Sequence, residues 1–450
     1  MLNRAAFLLI LTVFVMMTML YGGVHQPVLV VFYVSAALLA VVWAADSTVN
    51  GLRYSRSLLQ VPLLALSAYA VVQVIPFGTT EMNGLAGIPR TISVEPFATS
   101  VAAVQIFSLV IFFAAMLLYF DRAKRLRRLA AFLTIFGSAY AFFAILQSVL
   151  SPDAIFGIYK PASGRPFGTF VNRNDYAALI VMLMSVPLGM LFSGAIVRDK
   201  RLLYIVSIAL MATSLLLSQS RGGLVAFVIE IILLVLLTTR QRGTKKMVLR
   251  FGLSAALILI AIGGAVFVGG ETSLMRLSGE DIAVEAPAET TSRLHIWGTT
   301  VRMIADNMPL GVGAGAFPAV YPRYDTSSGF ERVEQAHNDY LQLVSDTGLI
   351  GTALGVLFLY LLVRQAREAV RVDNGLRHGI AVGALAGIVA VLVHSLFDFV
   401  LHITAVSLLF LMLLAMLVAS CRKYDDDITD LDDRHHHRRG RRIKPLRSGS

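Results

Sequence analysis

Residues 99–149 read TSVAAVQIFSLVIFFAAMLLYF, then DRAKRLRR, then LAAFLTIFGSAYAFFAILQSV. Each apolar block is about as long as the ~20 residues a helix needs to cross a bilayer. The block between them holds one acidic residue, Asp121, and the basic residues Arg122, Lys124, Arg125, Arg127 and Arg128. Cytoplasmic loops collect Lys and Arg, so this stretch is two membrane helices joined by a turn on the inner side.

The same pattern repeats outward from it. Apolar stretches fall at 5–21, 27–45, 58–77, 99–120, 129–149, 175–192, 202–217, 224–239, 251–269, 348–363, 379–397 and 403–420, an expectation of twelve spans. The basic runs at 121–128, 198–201, 240–246 and 364–371 occupy gaps of one parity. With Arg4, Arg53, Arg56, Arg250, Arg377 and the tail, that side carries 29 of the 39 Lys and Arg. Both termini are therefore expected in the cytoplasm. No small-residue cleavage site precedes Tyr21, so the first span is expected to be retained.

A chain of 450 residues, 56% hydrophobic, 15% charged and with mean hydropathy +0.72 is read as an all-α polytopic membrane protein. Residues 1–420 form one transmembrane domain in this reading, and 421–450 a basic cytoplasmic tail without fixed structure. The net charge of +11 follows from the inner loops and that tail, so no nucleic-acid partner is called for. The run His435-His-His437 admits a metal or lipid role, but a solvated tail accounts for it. The single cysteine, Cys421, excludes a disulfide framework and a Cys-based zinc site. One large outer interruption, 271–347, separates spans nine and ten. It opens with an acidic loop, 271–291. A helix is expected over 292–307, with Leu294, Trp297, Val301 and Ile304 at amphipathic spacing, and another from about His337 into the tenth span. This segment is read as a periplasmic cap over a cavity, lying on the membrane.

Outer gaps are poor in charge, which makes the charges there informative. Gly168-Thr-Phe-Val-Asn-Arg-Asn174 precedes the sixth span, Ser218-Gln-Ser-Arg-Gly-Gly223 joins the seventh and eighth, and Arg293 sits beside Trp297. Arg173, Arg221 and Arg293 are each explicable as a snorkelling anchor at a span end. Together they place three fork-shaped, permanently charged donors near one membrane surface, and such donors match phosphate oxygens. A shared anion site is the reading preferred over three anchors. A fourth group is Glu334-Gln-Ala-His-Asn-Asp-Tyr340. Its Asn338 or Asp339 can be a plain helix cap, while His337 can be a general base, since imidazole titrates near neutrality. His394 and Asp398 end the eleventh span, with His402 beyond. Asp398 has three readings: it orients His337, neutralises an arginine, or caps a short turn.

Gly311-Val-Gly-Ala-Gly315 has the look of a nucleotide loop but follows no strand and lies outside, so a nucleotide role is set aside. Glu230, inside the eighth span, marks either an ion path or a hydrogen-bonded bundle residue.

These blocks resemble the O-antigen ligase and polymerase superfamily of bacterial polytopic glycosyltransferases. The resemblance rests on Gly168–Asn174, Ser220-Arg-Gly-Gly223, Ser292-Arg-Leu-His-Ile-Trp297 leading to Pro309-Leu-Gly-Val-Gly, and Ala336-His-Asn-Asp-Tyr-Leu-Gln342 leading to Gly348-Leu-Ile-Gly351. It is specific from the sixth span to the tenth and weak over the first five. It implies a GT-C-like fold of twelve helices in the bacterial inner membrane and transfer of a glycan from undecaprenyl diphosphate to an acceptor hydroxyl, without cofactor or metal. His337 would be the base, and Arg221 and Arg293, with Arg173, would bind diphosphate. Asn172, Asn174, Asn338, Tyr340, His394 and Asp398 would support them. A ligase acting on lipid A core is the leading expectation. A polymerase extending another lipid-linked repeat, and a lipid-glycan transporter, stay open at this level.

Overall fold

The computed structural model describes residues 2–82, 85–120, 122–161, 165–238, 252, 255, 293–326 and 332–422. Its longer helices are α1 (Leu2–Met19), α2 (Gln26–Asn50), α3 (Gln60–Val74), α4 (Pro96–Tyr119), α5 (Ala123–Leu150), α6 (Arg173–Phe192), α7 (Arg201–Leu217), α8 (Arg221–Thr238), α9 (Arg293–Asp306), α10 (Asp339–Ala369), α11 (Gly375–His394) and α12 (Thr404–Cys421). Among the described residues ten helices are long and apolar enough to cross a bilayer: all of these except α3 and α9. The chain is thus an all-α polytopic membrane protein. Apart from 252 and 255, the ninth expected span at 251–269 lies outside the described residues, as do the acidic stretch 271–291 and the tail beyond Arg422.

The third expected span is shorter than its apolar run, 15 residues against a reading of 58–77. Pro76 explains the early stop: its ring pushes the preceding residue out of the helical region, and Ile75 is extended at φ −69°, ψ 127°. The chain then forms a small antiparallel hairpin, β1 (Thr79–Met82) on β2 (Leu85–Pro89), that the apolar pattern did not announce.

Two helices sit at the centre. α6 and α12 are almost wholly buried, and α11 packs along α6 on a row of small residues. Gly379, Gly383 and Gly387 recur every fourth position on one face of α11. A Cβ on Gly383 would lie 2.6 Å from the Ser185 carbonyl oxygen, and one on Gly189 would lie 2.5 Å from the Gly383 backbone. Only hydrogen fits there. In lipid, where burial of apolar surface gives no drive between helices, such close backbone approach supplies the van der Waals contact that holds them.

α11 therefore carries its last turn and the 395–403 loop to the same end of the bundle as the head of α6. The turn between α1 and α2 reaches that end too, where the Thr404 hydroxyl at the head of α12 donates to Gly23 O at 2.8 Å. At this end α10 begins at Asp339 and breaks at Gly348, whose φ of 59° and ψ of −143° are non-helical. The break makes room for 309–315: a Cβ at Gly348 would lie 2.1 Å from Pro309 O.

Candidate functional site

Three helices open at this end through a polar cap, and each cap stands beside an expected site residue. Asn172 accepts from Asn174 N at 2.9 Å at the head of α6. Ser220 accepts from Gly223 N at 3.2 Å at the head of α8. Asn338 accepts from Tyr340 N and Leu341 N, both at 3.0 Å, at the head of α10. Caps satisfy the free amides of a first turn, so they fix where each helix starts. Arg173, Arg221 and Arg293 are each the first residue of their helix, where the helix dipole adds positive potential to the guanidinium.

The side chains converge on Asp398. Its carboxylate meets His337 Nδ1 at 3.1 Å, accepts from Asn174 Nδ2 at 2.5 Å and from Arg293 Nη2 at 3.3 Å, and accepts from the Phe399 amide at 3.1 Å. The side chain is 1% exposed, whereas those of His337 and Arg293 are 34% and 45% exposed. Burial alone would raise its pKa, but the His337 hydrogen bond and the charges of His337, Arg293 and His394 outweigh it. The carboxylate is held below its ordinary value. With Nδ1 turned to Asp398, the free ring nitrogen of His337 is Nε2, and that half-exposed ring packs edge-on to Phe399 at 5.0 Å.

The backbone at His337 has φ +48°, in the left-handed region. L-residues with a Cβ avoid that region, and those found there concentrate at functional sites. Its neighbours hold it in place. Asn338 Nδ2 donates to Leu396 O at 3.0 Å, Asp339 N to Ser395 O at 3.0 Å, and the Tyr340 hydroxyl to Leu392 O at 2.8 Å. Asn338 and Tyr340 thus tie the head of α10 to the end of α11, and Asn172 acts as a cap.

His394 is 1% exposed, and its Nδ1 is buried with no partner among the described residues. Its ring lies against α8, where a Cβ on Gly222 would come within 2.8 Å of it. Only glycine lets the head of α8 approach this closely. The neighbouring Arg221 is exposed and has no hydrogen-bond or ion-pair partner among the described residues. Arg173 is half-buried, and its amide donates to Arg165 O at 2.9 Å. The structure thus joins His337, Arg293, Asn174 and Asp398 directly, and sets Arg221 one residue from the glycine that packs on His394.

Other groups lie outside the expected set of site residues. Asp339 binds His402 Nδ1 at 2.8 Å and accepts from Leu401 N at 3.1 Å, a second carboxylate and imidazole pair next to the first. The glycine loop is a structural strap: Gly315 N donates to Asp346 Oδ2 at 3.0 Å, and Gln73 on α3 accepts from Ala314 N at 3.0 Å. Its three glycines all have positive φ, at 77°, 110° and 76°. On α9, Ile296, Thr299, Thr300 and Met303 face inward, where Ile296 and Met303 pack in a small core with Phe317, Val320 and Tyr321. Of the stripe Leu294, Trp297, Val301 and Ile304, Leu294 and Val301 are well exposed, and Trp297 and Ile304 are partly buried at the flank of the inward face. Glu230 is fully buried in α8, and both its oxygens lack a partner among the described residues. Among the described residues no group of three His, Cys, Asp or Glu side chains is placed to hold a metal.

Residues 206–356 match the family model for O-antigen ligase. That stretch contains Arg221, Arg293 and His337; Arg173, Asn174 and Asp398 lie outside it. No curated protein matches the chain.

Proposed function

We propose, starting from the O-antigen ligase match over residues 206–356, that this protein is an inverting glycosyltransferase of the bacterial inner membrane. Both termini are cytoplasmic, and the Asp398 cluster faces the periplasm. The donor is a glycan on undecaprenyl diphosphate, and the acceptor hydroxyl belongs to lipid A core. The observation that carries the reading is one buried carboxylate shared between a half-exposed imidazole and a half-exposed guanidinium.

The chemistry follows from that sharing. Asp398 fixes His337 with Nδ1 protonated and stabilises the imidazolium that forms when Nε2 takes the acceptor proton. The acceptor oxygen attacks the anomeric carbon from the face opposite the diphosphate. As the new C–O bond forms, the bond to the diphosphate breaks and its electron pair passes to the leaving phosphate oxygen. Arg293 and Arg221, with Arg173 at lower reach, neutralise that charge as it grows. Asn174, Asn338, Tyr340 and His394 position these groups. Lipid diphosphate is a good leaving group, so charge neutralisation and alignment supply the rate without a metal.

The test is transfer by purified protein in nanodiscs, with EDTA throughout, from a synthetic undecaprenyl-diphosphate glycan to lipid A core. His337→Ala is expected to lose roughly 10²–10⁴-fold in transfer, and Arg293→Ala roughly 10²-fold. Full activity in either variant would remove that residue from the mechanism. Chains that lengthen on the lipid donor while lipid A core stays unmodified would make the enzyme a polymerase.

A further inference from the structure

The end of the bundle opposite Asp398 holds a cavity of about 430 Å³ between the α2–α3 loop, the end of α4 and the end of α12. α12 runs 18 residues from Thr404 beside the candidate site to Cys421, about 27 Å at helical rise, so the two places are on opposite faces. Arg53, Arg56 and Arg422 line the cavity, together with Leu52, Leu117 and Leu118, and among the described residues that line it none is acidic. This combination of cationic heads and aliphatic walls is amphiphilic.

The loop is built to sit at a membrane surface. The Trp43 indole donates to Arg53 O at 3.1 Å, anchoring the loop to α2 through a side chain suited to the headgroup layer. Val49, Leu52 and Leu58 around the loop are 73%, 75% and 54% exposed, as residues buried in lipid would be. Arg422 Nη2 donates to Ser55 Oγ at 3.1 Å, so the last residue of the bundle is already tied to the loop and its guanidinium is preorganised. Forked donors in this number match phosphate oxygens, and basic pockets between helices on the inner side of a membrane take anionic headgroups.

We propose that this cavity is a phosphate-binding site for the headgroup of an anionic phospholipid. The site is independent of the glycosyltransferase reading. It requires phosphate chemistry with a net negative charge, and the exposed Leu52 in its lining, with the buried Leu117 and Leu118 behind it, assigns the anion to a lipid and not to a soluble phosphate.

Native mass spectrometry of the full-length protein, released from detergent micelles doped with equal phosphatidylglycerol and phosphatidylcholine, tests the proposal. Wild type is expected to retain one phosphatidylglycerol. Arg56→Ala and Arg422→Ala each lower the retained fraction about fivefold, and Arg56→Lys, which keeps the charge but loses the fork, falls between wild type and Arg56→Ala. Arg198→Ala, an exposed arginine before α7, removes the same charge and is expected to change nothing. Thermal unfolding of each variant separates loss of lipid from loss of fold. Equal retention of the two lipids, or unchanged retention in both alanine variants, would overturn the proposal. Displacement of phosphatidylglycerol by low-millimolar inorganic phosphate would overturn the lipid assignment in favour of a soluble anion.

Discussion

At the scale of single residues, Asp398 decides how the candidate site behaves with pH. Its pKa in the folded protein lies below the ordinary carboxylate value, so its ion pairs contribute stability that is fully present above about pH 4 and is lost as pH falls through the lowered pKa. Asp398→Asn keeps the shape and removes the charge. Its melting temperature is expected to fall below wild type at pH 7 and to approach it as the pH is lowered toward 3. A gap that stays constant with pH would mean that the charge adds nothing. From the residue pattern this residue was legible as a polar group near a span end with three possible roles, and the family resemblance added a supporting role. Its partners His337, Arg293 and Asn174 stand 61, 105 and 224 positions away, and no local pattern encodes meetings across such separations. His337 and the arginines were easier to single out, because charged and titratable side chains are rare in the outer gaps.

At the scale of elements, the contact of α11 with α6 is set by what is missing from Gly383. Gly383→Leu would force a side chain to within 2.6 Å of the Ser185 carbonyl, and overpacking of this kind costs roughly 1–3 kcal/mol. Gly375→Ala, where nothing lies within 4 Å of the added carbon, is the control expected to be neutral. Unfolding in detergent, followed by circular dichroism, compares the two. Loss of transfer should accompany the first, since α11 carries the loop that holds Asp398. Hydropathy located the membrane helices to within a few residues at most ends, because the bilayer imposes length and composition together. It misjudged the third span, where apolar residues run past the helix end that Pro76 imposes. It also passed over the β1–β2 hairpin, although Asn83-Gly84 between the strands is a turn signal that could have revealed it. On α9 the apolar spacing marked a stripe that is exposed at Leu294 and Val301 and partly buried at Trp297 and Ile304, while the inward face mixes Ile296 and Met303 with Thr299 and Thr300, a pattern that periodicity of apolar residues alone does not pick out.

At the scale of the whole molecule, the charge distribution predicts which end of the bundle faces which compartment. In a Cys421→Ser background, a cysteine at Ile158, which is 87% exposed on the loop before α6, is expected to react with a membrane-impermeant maleimide from outside intact spheroplasts. A cysteine at Arg198, exposed before α7 at the opposite end, should react only after the membrane is opened. The reverse result would place the Asp398 cluster in the cytoplasm and end the lipid-diphosphate reading. The left-handed backbone at His337 bears on how such a protein responds to selection. Holding a residue with a Cβ at φ +48° costs about 1–2 kcal/mol relative to glycine, so the fold would be more comfortable with Gly or Asn at that position. Glycine there would relieve the backbone but forfeit the imidazole's bond to Asp398, so a thermal screen blind to activity weighs the one against the other. On the mechanism proposed above, the reaction is what sets the imidazole at this position.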